Sequence, residues 1–362
     1  MRIKTLCITE DPDRPTIATF IGLHRAGIEL TVVCPPVSAS RAALAAAGVP
    51  TLELQFSARL DVGAIRRLRA ELRHGRYDIL HVFSNKALQN GLLATVGLPV
   101  RIVAYRGIVG NVSFFSPVSW LRFLNPRIDR IVCVANAVRD HFLRMRPAFL
   151  RMPAERPVTI YKGHSLDWYT ESPADLRTIG IPADAFVIAC VANYRPRKGI
   201  EYLVEAMAEL PATWQAHLLL VGRMDAPRLA KIIAASPAAE RIHRVGHRDD
   251  APSLTAACDV FVLPSVKREG LARSLIEAMA YGVAPIVTDC GGSPELVIDG
   301  VCGLVVPVRD AAAINGAIRR LFEDPGLRRR FGAAARERIH THFKIETTIE
   351  QTLKLYRDLA VE

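Results

Sequence analysis

Two acids, Glu269 and Glu277, stand eight positions apart in the stretch KREGLARSLIEAMAYG, residues 267–282. Gly270 follows the first acid, and Leu, Ile, Ala and Met surround the second. The apolar spacing predicts a helix that starts near Ala272 or Arg273, runs through Tyr281 and ends at Gly282 as its C′ residue. Glu277 then lies about one turn into that helix, on a largely apolar flank where a carboxylate is costly to bury without hydrogen-bond donors. The two hydroxyls of a ribose would be such donors. Glu269, in the loop, could accept from the hydroxyls of a sugar, and Gly270 lets the backbone approach a ligand closely. On spacing alone, a solvated loop acid and a satisfied helix acid explain the pair equally well.

A second stretch, VANYRPRKGIEYLVEAM at residues 191–207, follows an apolar strand with a turn of Arg195, Arg197, Lys198 and Gly199 and then an amphipathic helix. Cations and free N–H groups at a helix start beyond a strand end suit a phosphate. Arginine binds it bidentately and lysine acts as a point charge. A solvated basic turn is the plain alternative. No GxxxxGK[ST] is present, so this is not a P-loop. The two glycines of CGGSPELV, residues 290–297, are a further candidate contact to an anion or a sugar.

These groups need elements to hold them. Short apolar and β-branched runs (IKTLCI, ELTVVC, YDILHVF, RIVAY, RIVCVA) alternate with helical patterns such as VGAIRRLRAELRHG. The alternation restarts after residue 185 with FVIACVA, AHLLLVG, DVFVLP, APIVTD and CGLVVP. Strands alternating with helices predict parallel sheets covered on both faces. At 362 residues the chain is long for one core, so two such domains are expected. The polar, Pro- and Gly-containing stretch KGHSLDWYTESPADLRTIGIPADA reads as the linker region. In doubly wound folds ligands bind beyond the carboxyl ends of the strands, and a cleft between domains is the default site.

Composition narrows the class. Half the residues are hydrophobic and 23 % are charged, as in a folded globular chain. No run reaches the roughly 18 apolar residues of a membrane span, and the first residues read as a strand rather than a signal peptide. The seven cysteines are dispersed and lack a CxxC pair, which reads as reduced core thiols in a cytoplasmic protein. Charge is uneven: residues 1–165 hold 23 Lys and Arg against 11 Asp and Glu, a net +12, whereas residues 166–362 hold 24 against 25, a net −1. An anionic partner for the first half would account for this, and so would composition alone.

The Glu-seven-Glu stretch resembles the signature of the family 4 retaining glycosyltransferases (glycosyl transferases group 1). VANYRPRKG, VGHRDDAPSLTAACDVFVLPS, EAMAYGVAPIVTDCGGSPE and DGVCGLVVP follow that family's order and spacing. The resemblance is strong over 185–345 and weak over 1–165, where YDILHVFSNKA and DRIVCVANAV carry it. It implies an α/β chain of GT-B fold, with two Rossmann-like doubly wound domains facing a central cleft. Residues 1–165 would bind the acceptor and 166–345 the nucleotide-sugar donor, and helix 346–362 would pack back on the first domain.

Carried over residue by residue, the resemblance gives Lys198 the donor diphosphate, with Asn193, Arg195 and Arg197 beside it. Glu277 would take the nucleotide ribose and Glu269 the donor sugar. The backbone of Gly270, Leu271, Ala272 and Arg273 would approach sugar and phosphate, and the turn at Arg248 would lie near the base. Glu269 and Lys198 are the catalytic candidates, joined by Arg106, which stands where the family's His would be and becomes a candidate contact to phosphate or an anionic acceptor; Asn85, Lys86, Arg106 and Gly107 form the acceptor side. The chain departs from the pattern in three places. Asn193 stands where relatives carry Arg, Arg106 precedes Gly107 where they carry His, and TEDPDRPTIATF replaces a Gly-rich loop. His164 is read as structural.

The chemistry implied is retaining transfer from a nucleoside diphosphate sugar, with UDP as the expected carrier, to an acceptor hydroxyl. No cofactor is expected and no metal, since TEDPDRP and HRDDAP are only weak acidic motifs. FFSPVSWLRFLNPRI and DHFLRMRPAFLRMPAERP mix aromatics with arginines, as an interfacial membrane contact does and as ordinary core helices with surface arginines also do; the net +12 of this half tilts the reading toward an anionic partner. The expected acceptor is therefore a lipid-linked or anionic envelope glycan of lipopolysaccharide type. The enzyme would be cytoplasmic or bound peripherally to an anionic membrane surface at the inner face of the cytoplasmic membrane. A sugar-nucleotide epimerase, or transfer to a soluble small acceptor, is the alternative. No nucleic-acid motif is present.

Overall fold

The computed structural model describes residues 3–10, 12–36, 38, 40–145 and 150–361. Asp11 of TEDPDRP, and Arg146 and Phe149 of the second aromatic and basic stretch, lie outside the described residues. The chain divides into two compact units: residues 1–163 with 343–362, and residues 164–342.

Unit 1 is built on a parallel sheet of β1 (Lys4–Ile8), β2 (Glu29–Cys34), β3 (Thr51–Glu53), β4 (Ile79–Val82), β5 (Arg101–Arg106), β6 (Arg130–Cys133) and β7 (Pro157–Thr159), in the order β3-β2-β1-β4-β5-β6-β7. The run ILHV of β4 is buried along its whole length, as expected of a strand covered on both faces. Helix starts are set locally. Asp13, Asp61 and Ser84 each accept a backbone N–H from the first turn of the helix that follows.

The C-terminal helix Ile345–Val361 belongs to this unit and lies along helix Arg14–Arg25. Gly22 makes the approach close, since a Cβ there would stand 2.3 Å from the Ile349 side chain. Tyr356 is wholly buried, and its hydroxyl meets His81 Nδ1 at 2.7 Å and Cys7 Sγ at 3.7 Å. Burial pushes the His81 pKa down to about 3, so this imidazole is neutral when folded.

Unit 2 repeats the design with β8 (Phe186–Val191), β9 (Ala216–Val221), β10 (Ile242–Arg244), β11 (Val260–Leu263), β12 (Ala284–Thr288) and β13 (Leu304–Val306), in the order β10-β9-β8-β11-β12-β13 and again parallel. In helix Ile200–Ala208 the residues Ile200, Leu203, Val204 and Met207 recur at three and four, and all are buried in this unit's core. Of residues 162–185, read from composition as the linker region, 164–185 belong to unit 2. Ala174 N–H donates to Ser253 O, and Ser253 Oγ donates to Ser172 O. All seven cysteines are buried free thiols. Among the described residues no helix is long and apolar enough to cross a membrane.

Tyr356→Phe leaves the buried His81 Nδ1 without its partner and is expected to destabilise unit 1 by about 1–3 kcal/mol in urea unfolding. His81 also gives the wild type a pH dependence. Its folded pKa lies below its unfolded value, so the stabilisation is complete above about pH 6.5 and is lost as pH falls from there toward 3. Unfolding midpoints that neither drop in the variant nor decline over that pH range would refute this account.

Candidate functional site

In unit 2 the strand order reverses between β8 and β11, so the loops after these two strands flank a topological switch point. Each loop is shaped by a close backbone contact. After β8 the turn Pro196–Lys198 ends at Gly199, which has φ +64°. A Cβ on Gly199 would lie 2.0 Å from Pro264 O, at the end of β11, so both the conformation and the approach require glycine. Val266 N–H then donates to Arg197 O at 2.9 Å, which joins the two loops.

This join places Lys198 against Glu269. Lys198 Nζ donates to Glu269 Oε2 at 2.7 Å, and Ser265 Oγ donates to the same oxygen at 2.6 Å. Glu269 is only 6 % exposed. Two donors on one oxygen, one of them a cation, offset the cost of burying the carboxylate. Ser265 is itself fully buried, and its carbonyl accepts from Thr288 Oγ1. Sequence reasoning gave Ser265 no role; its position directly after Pro264 at a strand end was the available signal.

The backbone of Glu269 is held from the other side. Gly291 (φ +58°) would bring a Cβ within 2.1 Å of Glu269 O, and Gly292 N–H donates to that oxygen at 3.3 Å. The glycines of CGGSPELV, read as a candidate anion or sugar contact, let this turn close on the Glu269 loop.

The helix that follows runs Arg273–Ala280, with Tyr281 as C-cap and Gly282 after it. Ala272 is its N-cap and supplies no side-chain hydrogen bond. The first-turn N–H groups therefore keep the partial positive charge that attracts anions. Leu271 to Ser274 border a cavity of about 660 Å³ that Glu277 also lines, one turn further on. Glu277 is mostly buried, and Arg273 Nε lies 3.3 Å from its Oε1.

The same cavity is lined by Asn193, Arg195, Arg197, Lys198, Arg248 and Glu269. Of the donor-side residues read from sequence, Gly270 alone is absent from the lining; it is buried beneath it. Asn193 Oδ1 accepts the backbone N–H of Arg223 at 3.0 Å, so it fixes the turn where relatives were expected to place a cation. Arg195 and Arg197 have no acidic partner among the described residues. The Arg248 guanidinium grips Asp250 at 2.8 and 2.7 Å, and these hydrogen bonds hold the Asp250 carboxyl below its usual range.

The acceptor-side candidates lie in unit 1. Asn85 and Lys86 open helix Asn85–Ala94, and Lys86 Nζ donates to Phe56 O at 2.8 Å. Arg106, at the end of β5, is buried. Its guanidinium donates to the carbonyls of Ile108 and Gly110 and lies 4.8 Å from the Phe123 ring centre. It thus shapes the loop that contains Gly107. His164 is buried in unit 2 and hydrogen-bonds Tyr169 Oη. Of the weak acidic motifs, Asp13 pairs with Lys162 at 2.9 Å. Among the described residues no three His, Cys, Asp or Glu side chains cluster as metal ligands would.

Family models match both parts of the chain: Glycosyltransferase Family 4 over residues 19–168 and Glycosyl transferases group 1 over 172–338. The chain is 30 % identical over 300 residues to an alpha-maltose-1-phosphate synthase of Mycobacterium tuberculosis, covering 78 % of this chain and 73 % of that one. This protein belongs to glycosyltransferase family 4. The corresponding synthase of Mycolicibacterium smegmatis is 30 % identical over 251 residues, 64 % of each chain. A lipopolysaccharide core biosynthesis glycosyltransferase, LpsE of Rhizobium meliloti, is 31 % identical over 182 residues, 50 % of this chain and 52 % of that one. Among solved structures, Anabaena HepE in complex with UDP-glucose superposes with a TM-score of 0.80 at 21 % identity, over 99 % of this chain and 100 % of that one. The α/β architecture of two parallel-sheet, Rossmann-like domains is therefore that of the GT-B glycosyltransferases.

Gly291→Ala is expected to push the Glu269 loop aside by steric contact and to lower sugar turnover on the order of 100-fold, the usual cost of a misplacement of about 1 Å. Circular dichroism would confirm an intact fold. Wild-type turnover in this variant would show that the contact does not position Glu269.

Proposed function

We propose that the protein is a retaining, metal-independent glycosyltransferase. It would move a sugar from a nucleoside diphosphate donor, most simply a UDP-sugar, to a hydroxyl of an anionic or lipid-linked envelope glycan at the cytoplasmic face of the membrane. One arrangement carries the donor half of this reading. Lys198 on the buried Glu269, the uncapped start of helix 273–280 and Glu277 one turn in all border one cavity.

The roles follow from charge and reach. The leaving diphosphate gains negative charge in the transition state, and Lys198, Arg195 or Arg197 and the helix N–H groups would meet it. Glu277, held by Arg273, would accept from the ribose hydroxyls. Glu269 would accept from hydroxyls of the sugar, and Lys198 would then be shared between this carboxylate and the phosphate. Glu269 and Glu277 are not assigned the nucleophile and acid roles of a retaining hydrolase pair, because one sits with Lys198 and the other with Arg273. The leaving phosphate would help take the acceptor proton, with attack on the same face. The UDP-glucose bound to HepE supports a UDP-sugar, and the place of LpsE in lipopolysaccharide core biosynthesis supports an envelope glycan.

The test is a thermal-shift panel of UDP-, GDP- and ADP-sugars, followed by turnover. A true donor at 100 times its dissociation constant is expected to stabilise by about 2.7 kcal/mol. Glu277→Ala should remove most activity, and Lys198→Ala should mainly damage donor use. Unchanged donor affinity and turnover in both would sink the assignment. Free nucleotide should appear only with an acceptor, the product should keep the donor's anomeric configuration, and chelation should leave the rate unchanged. Nucleotide-sugar conversion without acceptor would instead mark an epimerase.

A further inference from the structure

Three segments of unit 1 meet around helix Asn85–Ala94. Asn90 ties the first, residues 57–69: its Oδ1 accepts from Asp61 N–H at 2.9 Å and its Nδ2 donates to Ala58 O at 3.3 Å. The second is the helix itself with the turn to Val96. Gln89 and the last turn tie the third, residues 113–127. Arg122 donates to Gln89 Oε1 at 3.3 Å, and Arg127 Nη2 donates to Thr95 O at 2.7 Å.

These segments carry Leu60, Val62, Leu93, Val96, Phe115, Val118, Trp120 and Leu121, eight of the twelve large exposed hydrophobic side chains among the described residues. Phe115 is 79 % exposed and Leu121 54 %. Trp120 gives its indole N–H to Phe114 O at 2.8 Å, so its polar atom is already satisfied and the exposed part of the ring is apolar. Such a concentration marks an interaction surface rather than scattered exposure.

Charge indicates what covers it. The segments contain seven basic residues, Arg59, Arg66, Arg67, Arg69, Lys86, Arg122 and Arg127, and one acid, Asp61. Asp61 is occupied: it caps helix Val62–Gly75 and accepts from Ser57 N–H and Oγ. Arg59 and Arg122 are close enough that the Arg59 charge, after partial burial, lowers the Arg122 pKa. Aromatic and aliphatic side chains fringed by arginines with almost no acid complement an anionic lipid surface, where apolar groups reach the acyl boundary and cations meet phosphates.

We propose that this face docks unit 1 on an anionic lipid bilayer, with Phe115, Trp120 and Leu121 entering the headgroup boundary and Arg59, Arg66 and Arg122 on lipid phosphates. The proposal does not depend on the donor reading and can fail or hold without it. The test is co-sedimentation of the full chain with vesicles of phosphatidylcholine alone or mixed with phosphatidylglycerol, at low and high salt. Wild type is expected to pellet with the mixed vesicles, more weakly as salt rises, and not with phosphatidylcholine alone. Phe115→Ser with Leu121→Ser changes only exposed side chains and should lower the partition roughly ten-fold. Arg59→Glu with Arg66→Glu should lower it by about five-fold or more per arginine. Unchanged thermal unfolding would show that the variants fold. Failure of the wild type to pellet at low salt would overturn the proposal, as would loss in the charge variant alone, which marks general basic adsorption. A dimer that the apolar variant converts to monomer would assign the face to a second copy of the chain.

Discussion

A carboxylate with 6 % exposure cannot stay ionised in a protein interior without partners. In unit 2 two side chains, set in place by the surrounding backbone, meet this requirement for Glu269. Its Oε2 needs Lys198 and Ser265; Lys198 reaches it because Gly199 seats against Pro264 O; and the Glu269 carbonyl is held by the Gly291–Gly292 turn. Three loops, after β8, β11 and β12, are thus fastened to one another around a single acid. The cavity lined by Glu277, Arg195 and Arg197 takes its shape from that fastening. Deleting Lys198 would leave Glu269 as an unbalanced buried charge, so the ion pair is better understood as a geometric lock than as a source of stability.

The sheets were legible from sequence because both faces of the inner strands are buried, which produces continuous apolar runs such as AHLLLV. The three strands not read from sequence, β3, β7 and β10, are three residues each and lie at sheet ends, where one-sided burial leaves no long run. Helix 273–280 was legible at both ends from its apolar spacing and from Gly282. The linker reading failed in part because composition cannot distinguish a polar segment in solvent from one whose backbone is bonded to a domain, as Ser172 and Ala174 are to Ser253.

The site was legible where chemistry and spacing coincide, as in Glu269, Glu277 and Lys198, and illegible where a residue acts through its backbone or through another side chain. Ser265 is a common residue, and only the fold shows its hydroxyl on Glu269 Oε2. Asn193 stands where a cation was expected and bonds the Arg223 N–H, while Arg195 and Arg197 line the same cavity. Arg106 has the chemistry of an anion receptor, but its guanidinium donates to the carbonyls of Ile108 and Gly110. Side-chain type sets what a group can do, and the neighbours that the fold brings to it decide which of those options is used.

The uneven charge has the same physical root. A guanidinium bound to a carboxylate is neutralised, whereas one bound to a carbonyl is positioned but keeps its full charge. In residues 166–362 acids balance bases, and the cavity cations Lys198, Arg248 and Arg273 each have an acid partner. Residues 1–165 have too few acids for this. Arg69, Arg106 and Arg127 are anchored on carbonyls instead, and Arg59 and Arg66 stand exposed. The positive charge of that half is therefore built into how its arginines are held, and Arg59 and Arg122 approach each other closely enough for their charges to interact. A charge excess fixed in this way persists through folding, and its field is screened over a Debye length of about 8 Å at physiological salt.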